Sequence, residues 1–206
     1  KMMRPAGLEV FQATNLPFGL NEFSDISRTT SGFDPAVIFD VGANVGQVSL
    51  AYRSLFKAQI YAFEPVPSTY ERLVDNVAGF EVKTFNLGFG NDQRKVKIFL
   101  QEVHGLNSMT ESLNQPSGMG YEEAEDTTID VFCDENRIDE ISLLKIDTEG
   151  FGLRVLDGAS NMLSEGRIAW VFIEVGFSHQ DKRHDTFCDV SKVLDRYSFR
   201  LFGFYN

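Results

Sequence analysis

The stretch "VIFDVGANVG", residues 37–46, decides the fold class. It opens with an apolar, β-branched run that a glycine stops, which is typical of a short strand buried on both faces. Beyond Gly46 the apolar side chains recur at three- and four-residue steps, as on one face of a helix; they are Val48, Ala51, Tyr52, Leu55 and Phe56. A buried strand, a glycine loop and a helix make half of a βαβ unit.

The same succession returns along the chain. Further strands are predicted at 60–65, 82–87, 141–150 and 167–176, with a last strand in 198–205. One helix is predicted to begin at a capping box of Ser68 and Glu71, and two more are predicted from the stripes Leu153, Leu156, Ala159, Leu163 and Phe187, Val190, Leu194, Tyr197. This order predicts an α/β fold, a Rossmann-like, mostly parallel, twisted sheet with helices on both faces.

The length of 206 residues fits one sizeable domain. We expect a lead-in segment over 1–34 and a single domain over 35–206. Within that domain a long polar stretch near 96–126 reads as an inserted region.

Net charge and composition limit the kinds of partner that this chain can bind. A formal net charge of −11 repels polyanions, so a neutral or cationic small ligand is favoured over nucleic acid or an anionic membrane. No window approaches the roughly 18 apolar residues of a membrane span, and the first residues lack the apolar run of a secretion signal, so we expect a soluble, cytoplasmic protein. Cys133, Cys188 and the three histidines show no metal-ligand spacing, and no metal site is predicted.

Acidic residues stand where the predicted strands end. Open α/β sheets bind ligands in the crevice beyond the carboxyl ends of their strands. Any one acid there could be a solvated loop residue or a helix cap, but five at one edge favour a functional site. They are Asp40, Glu64, Asp147, Glu149 and Glu174.

The sequence of the glycine loop distinguishes between two classes of ligand, dinucleotides and S-adenosylmethionine. A dinucleotide fingerprint needs GxGxxG, and the GxG pair is missing between Gly42 and Gly46. Asp40 would oppose a pyrophosphate and attract an ammonium, which favours S-adenosylmethionine, with the loop amides on its carboxylate. Glu64 would accept hydrogen bonds from both ribose hydroxyls, a role that NAD enzymes share, so an NAD-dependent oxidoreductase stays an alternative on this residue alone.

At this point the sequence resembles the FkbM-type methyltransferases, a family with the seven-stranded S-adenosylmethionine-dependent Rossmann-like fold. The matching pieces are "FDVGANVG", "FEPVPSTYERLVDN", "TTIDVFC", "LLKIDTEGFGLRVLDGA" and "VFIEV", in that order over roughly two-thirds of the chain.

The resemblance implies methyl transfer, typically to a hydroxyl oxygen of a sugar or secondary metabolite. It assigns Asp40, Gly42, Asn44 and Gly46 to the methionine end of the cofactor and Glu64 to its ribose. It also assigns Asp147 to the methyl group and the acceptor, and Asn91 to the adenine.

Two departures from the family pattern leave an alternative open, a scaffold protein that keeps the fold without activity. The family commonly has an acid two residues after KID-x-EG, where this chain has Gly152. The sequence also stops near the expected sixth strand, so either a seventh strand is trimmed away or a partner covers that sheet edge, through which oligomers could form.

Transfer to an alcohol also needs a base for the departing proton. The candidates are Asp147, Glu149 and His179, followed by Glu174 and His104. Against these roles, Glu149 could cap the next helix, and a histidine in a surface loop is more often only solvated.

Overall fold

The computed structural model describes residues 24, 25, 28, 34–99, 121–178, 180–181 and 183–205. Residues 35–200 form one compact unit, and 201–205 are grouped with the chain before Pro35 in another. In chain order the elements of the larger unit are β1 (Val37–Val41), α1 (Gln47–Leu55), β2 (Gln59–Phe63), α2 (Pro67–Asn76), β3 (Val82–Phe85), β4 (Gly88–Phe89), β5 (Arg94–Phe99), β6 (Tyr121–Thr127), α3 (Ile129–Asn136), β7 (Ile141–Ile146), α4 (Gly152–Asp157), α5 (Ser160–Ser164), β8 (Ile168–Ile173) and α6 (Phe187–Arg196).

Five strands make the central sheet in the order β3-β2-β1-β7-β8. All of its pairings are parallel, which confirms the predicted α/β fold. β1 lies in the middle, and four of its five residues are buried, as its unbroken apolar run indicates. The carboxyl ends of β1, β2 and β7 therefore meet at one edge of the sheet.

Aromatic side chains fill one side of this sheet. The ring of Phe132 from α3 lies edge-on to Phe39, Phe63 and Phe85, with ring centroids 5.0 to 5.8 Å apart. Phe39 and Phe63 are fully buried, and each such side chain contributes roughly 1.5–3 kcal/mol of hydrophobic stabilisation. Helix α3 thus packs against the sheet, although no periodic pattern predicted it.

The inserted region begins and ends in a second, small sheet of order β4-β6-β5. β5 and β6 pair antiparallel from Arg94–Asp126 to Phe99–Tyr121, while β4 runs parallel to β6. The middle of the predicted insertion, 100–120, lies outside the described residues.

The predicted capping box at Ser68 is wrong. Val66 is the N-cap residue of α2 and Pro67 opens the helix, so Ser68 lies inside its first turn. There the Ser68 backbone N–H and hydroxyl both donate to the carboxylate of Glu122 on β6 (2.8 and 2.5 Å). An acid more than fifty residues away in sequence caps this helix, which a local pattern cannot show.

The predicted single helix over the stripe from Leu153 to Leu163 is two helices, α4 and α5. A new helix starts at Ser160 because the Asp130 carboxylate accepts from the amides of Asn161 (2.8 Å) and Met162 (3.0 Å). The stripe is nonetheless buried in the core, apart from the partly buried Leu153.

The predicted last strand is also wrong. Residues 199–205 carry no strand, and Ser198 adopts a left-handed conformation (φ 65°). Phe199 packs against the core without pairing to β8. Leu201, Phe202 and Phe204, whose alternation also predicted a strand, are exposed.

Candidate active site

The loop between β1 and α1 fits closely against its neighbours. Gly42 has φ 75°, and a Cβ there would lie 1.8 Å from the Asp147 carbonyl oxygen. Gly46 has φ 88°, and its Cβ would lie 2.7 Å from the Leu73 side chain. Both positions therefore need glycine, for backbone conformation and for space. The loop lies directly against the end of β7 and against α2.

Most of the loop amides already have partners within the protein. Gly42 N–H and Ala43 N–H donate to the Phe63 carbonyl (3.0 and 2.9 Å), and Gly46 N–H donates to the Ala43 carbonyl (2.8 Å). Asn44 N–H donates to Glu64 Oε2 (3.0 Å). These hydrogen bonds hold the loop at the end of β2. The same amides are therefore not directed at a ligand carboxylate.

Asp40 lies beneath this loop in what we call the buried ion centre, formed by Asp40, Lys145 and Asp147. Asp40 and Lys145 are register partners on β1 and β7, which places Lys145 Nζ 2.8 Å from Asp40 Oδ1. Lys145 also donates to the Gly42 carbonyl (3.0 Å) and lies 3.5 Å from Asp147 Oδ2, while Ser49 Oγ donates to Asp40 Oδ2 (2.6 Å).

Charge balance explains this arrangement. Asp40 is 0% exposed and Lys145 is 4% exposed. Burial alone would lower the pKa of Lys145, but the nearby carboxylates of Asp40 and Asp147 outweigh it and raise that pKa. The ammonium of Lys145 thus pairs with the Asp40 carboxylate, which the sequence pattern predicts to attract the ammonium of a ligand.

Glu64 follows β2 and is 6% exposed. Its two carboxylate oxygens accept from separate backbone amides, Oε2 from Asn44 and Oε1 from Val66 (3.0 Å each). Burial raises the pKa of Glu64 to about 7, against the lowering effect of these two hydrogen bonds. A carboxylate oxygen has more than one acceptor position, so each can still accept a hydroxyl donor.

A cavity opens at the carboxyl ends of β1, β2 and β7. Five of the predicted site residues line it: Gly42, Asn44, Glu64, Asp147 and Glu149. Apolar side chains share the lining, from Val41, Leu87, Phe89, Ile98 and Phe151, and Arg72 of α2 adds a cation. A concave surface that combines apolar side chains with converging polar groups is typical of a small-molecule site.

A second group of acids surrounds His184, and we call His184, Asp181, Glu149 and Glu174 the His184 cluster. The distance from His184 Nδ1 to Asp181 Oδ2 is 2.7 Å, and His184 Nε2 lies 3.4 Å from Glu174 Oε1 and 3.8 Å from Glu149 Oε2. Its hydrogen bond to Asp181, in spite of partial burial, raises the pKa of His184. The cluster adjoins the cavity through Glu149.

Glu174 also contacts Asp147. Burial is the main cause that raises the pKa of Glu174 to about 7, followed by a hydrogen bond to Asp147 and the Asp147 charge. Two carboxyl groups can hydrogen-bond to each other only when one carries a proton. Burial and the neighbouring Asp147 therefore favour the protonated form of Glu174 up to near neutral pH.

Gly152, the departure from the family pattern, lies at the start of α4 in a filled space. A Cβ there would lie 2.8 Å from the Ile173 side chain and 3.2 Å from Asp185 Oδ2. That same oxygen of Asp185 accepts from the Leu153 amide (2.8 Å), so Asp185 and not Glu149 binds the first amides of α4. A carboxylate is thus present at this helix start, supplied by a different loop.

The remaining predicted residues lie away from the cavity or outside the described part of the chain. Gly46 packs against α2, and exposed Asn91 donates to Asp157 Oδ2 (3.1 Å). Neither contributes to the cavity lining. His179 and His104 are outside the described residues.

Sequence reasoning missed Lys145, His184 and Arg72. Lys145 could have been found, because aligning "FDVG" with "LKID" as neighbouring parallel strands places Asp40 beside Lys145. His184 and Arg72 gave no signal, since the conformation of the 176–186 loop and the rotation of α2 determine what they contact.

The sheet order, the glycine loop and the cavity at the strand ends define the class of Rossmann-like α/β proteins. Comparison with known families then identifies the chain, because the family described as "Methyltransferase FkbM domain" matches residues 40–201. The chain belongs to the FkbM methyltransferase family.

A curated relative agrees with this assignment. The chain is 26% identical over 145 residues to the hexuronic acid methyltransferase AglP of Haloferax volcanii. The aligned part is 70% of this chain and 59% of the relative, so the chain spans less than two-thirds of that protein's length. A comparison with solved structures gave no match.

Among the described residues, no helix is long and apolar enough to cross a membrane. Within the same ranges no group of three or more His, Cys, Asp or Glu side chains is placed to hold a metal ion.

Proposed function

We propose that this protein is an S-adenosylmethionine-dependent O-methyltransferase whose acceptor is a hydroxyl on a sugar or a related small molecule. The observation that carries the proposal is Glu64 at the cavity wall, where two backbone amides fix its carboxylate. Each oxygen keeps an acceptor position for one of two neighbouring hydroxyls, as a ribose presents them. Family membership supports methyl transfer as the reaction.

The rest of the cavity suits the other parts of this cofactor. Apolar walls at Leu87, Phe89 and Ile98 accept an adenine ring, and Arg72 offers a cation for the methionine carboxylate. The ligand's ammonium and sulfonium would lie toward Asp147, whose side chain is 46% exposed. Asp40 would act from below, by holding Lys145 and the Gly42 carbonyl in place.

The acceptor is proposed from the relative and from the charges. The relative is named for a hexuronic acid, which supports a carbohydrate acceptor. In this reaction the acceptor oxygen displaces a thioether in line, so the protein contributes alignment and a place for the proton. Asp147 and Glu149 border the cavity and are the candidates for contact with the acceptor, and His179 stays a candidate base.

Calorimetry tests this proposal. Wild-type protein should bind S-adenosylmethionine and S-adenosylhomocysteine but not NADH. Glu64→Gln should weaken both by roughly 10- to 100-fold, because an amide nitrogen replaces one of the two oxygens and cannot accept a hydrogen bond. A cooperative thermal unfolding transition in Glu64→Gln serves as the control for folding.

Other outcomes would contradict it. Binding of NADH without S-adenosylmethionine would favour an oxidoreductase. Binding of neither cofactor would favour a scaffold protein.

A further inference from the structure

The inference concerns the proton that leaves the acceptor, and it rests on the proposed function. We propose that Asp181, His184 and Glu174 form a proton relay out of the active site. The acceptor atom is then a hydroxyl oxygen, and not the carboxylate oxygen that a hexuronic acid also offers.

The loop from Gly176 to Thr186 fixes the position of His184. It is closed at its base, where Gly176 N–H donates to the Asp185 carbonyl and Phe187 N–H donates to the Gly176 carbonyl (2.9 Å each). The Arg183 carbonyl lies so close to Gly150 that a Cβ there would come within 2.6 Å of it. The loop is thus held against the segment that follows β7, with the imidazole only 14% exposed.

Asp181 determines which imidazole nitrogen can take a proton. At 2.7 Å from Nδ1, its carboxylate accepts the Nδ1 proton and leaves the Nε2 lone pair for exchange. Nε2 faces Glu174 Oε1 at 3.4 Å, and Glu174 in turn hydrogen-bonds to Asp147 at the cavity. The described groups make a continuous chain from the cavity, through Asp147, Glu174 and His184, to Asp181.

The charges around His184 support proton uptake. Asp181 faces it from its own loop, Glu174 from the end of β8 and Glu149 from the segment after β7, while Arg183 and Asp147 act on the neighbouring Glu149. Three carboxyl groups around one imidazole favour the imidazolium form. This agrees with the raised pKa of His184.

The proposed step balances as follows. The acceptor oxygen forms a bond to the methyl carbon while the carbon–sulfur bond breaks and its electron pair turns the sulfonium into a neutral thioether. The acceptor's O–H bond breaks, and its proton passes by way of Asp147 to Glu174. It then moves to His184 Nε2 as the Nδ1 proton leaves through Asp181 to water.

A carboxylate acceptor would make this relay unnecessary. It is already ionised and has no proton to lose at neutral pH. It would also bring a further negative charge beside Asp147, Glu149 and Glu174, where like charges repel. A neutral hydroxyl fits both the surplus of acid and the path for a proton.

Nitrogen NMR of His184 tests the relay without any acceptor. Above its pH midpoint the ring should be the Nδ1–H tautomer. Asp181→Asn should lower that midpoint by about one pH unit and Glu174→Gln by about half a unit, because each removes a facing carboxylate. Asp195→Asn, an exposed acid paired with Arg200, should leave it unchanged. An Nε2–H tautomer, or a midpoint that Glu174→Gln does not move, would overturn the relay.

Turnover tests the acceptor class, with methyl β-D-glucuronide as the probe because it offers both hydroxyls and a carboxylate. Labelled methyl groups should stay on the product in mild alkali, as an ether does, and release of labelled methanol would overturn the hydroxyl assignment. His184→Gln should lower kcat about 100-fold, shift the pH profile and leave the Kd for S-adenosylmethionine unchanged.

An unaltered kcat and pH profile in His184→Gln would overturn the relay. Absence of transfer to this probe from a protein that binds S-adenosylmethionine would count against the proposed carbohydrate acceptor. The NMR titration decides the relay separately.

Discussion

Asp147 belongs to the buried ion centre and also contacts Glu174 of the His184 cluster, and these two groups of residues handle charge in opposite ways. In the ion centre, a fully buried carboxylate has an ammonium 2.8 Å away, and both are bound to the backbone or a hydroxyl. In the cluster, one imidazole faces several partly exposed carboxyl groups at 2.7 to 3.8 Å. Matched, desolvated charges fix a loop, whereas surplus acid in contact with water keeps protons exchangeable.

The largest expected effect comes from breaking the ion centre. Lys145→Met leaves the Asp40 carboxylate buried without its counter-charge, so the free energy of unfolding should fall by about 3 to 5 kcal/mol in urea titrations. The double variant Asp40→Asn/Lys145→Met should recover most of this loss, because no charge is left unpaired.

A surface pair provides the matched control. Lys192 lies 3.1 Å from Asp189, a distance close to that of the buried pair, but the Lys192 side chain is 63% exposed. Lys192→Met should not change stability measurably. If Lys145→Met also left the free energy of unfolding unchanged, the ion centre would not stabilise the loop.

Asp126 is a buried acid that, in contrast to Asp40, has no lysine ammonium beside it in the described residues. Both carboxylate oxygens of Asp126 are buried and have no hydrogen-bond partner within the described ranges. Burial raises the pKa of Asp126 to about 6, against the opposing charge of Arg94.

The ionised form of Asp126 is therefore disfavoured in the folded state. Its contribution to stability is complete below about pH 4 and is lost as the pH rises through about 6. Asp126→Asn should raise the free energy of unfolding by up to about 3 kcal/mol at pH 8 and by little at pH 4. Equal effects at both pH values would contradict the assignment.

A smaller effect concerns the proposed cofactor binding at Glu64, which is buried like Asp40 but lines the cavity. Under the proposed function, ribose hydroxyls would donate to the ionised carboxylate, whose pKa burial raises to about 7. Affinity for S-adenosylhomocysteine should fall as the pH drops below 7, approaching tenfold, or about 1.4 kcal/mol, per pH unit. Glu64→Gln should bind more weakly with no such slope, and calorimetry between pH 5.5 and 8.5 measures both. A slope that persists in the variant would assign the proton to another group.

The central sheet was predictable because its signals are local. Buried parallel strands give continuous apolar runs, and the acids of "FDVG", "FEP" and "KID" mark where those runs end. Two errors arose where a distant carboxylate binds helix amides, Glu122 at α2 and Asp130 at α5. Such contacts depend on tertiary packing and leave no trace in a sequence window.

The site was predictable in part for the same reason. Positions at strand ends placed Asp147 and Glu149 at the cavity beside Glu64. Whether an acid can bind a ligand also depends on its neighbour on the adjacent strand. Lys145 forms an ion pair with Asp40, so the Asp40 carboxylate already has a partner within the protein. The contacts of His184 depend on the conformation of its loop, so its sequence neighbours do not reveal them, and His179 stays a prediction outside the described residues.

The register of Asp40 and Lys145 also has a consequence for the order of folding. Gly42 and Lys145 are 103 residues apart along the chain, and the ammonium can lose its water only when β1 and β7 have docked. Docking of these strands and formation of the ion centre should then be a single late event, since long-range contacts form slowly. During refolding, protection of the Asp147 amide against hydrogen exchange, which donates to the Val41 carbonyl, should appear together with that of β7, and later than protection of the Ala43 and Asn44 amides, which bind to the end of β2.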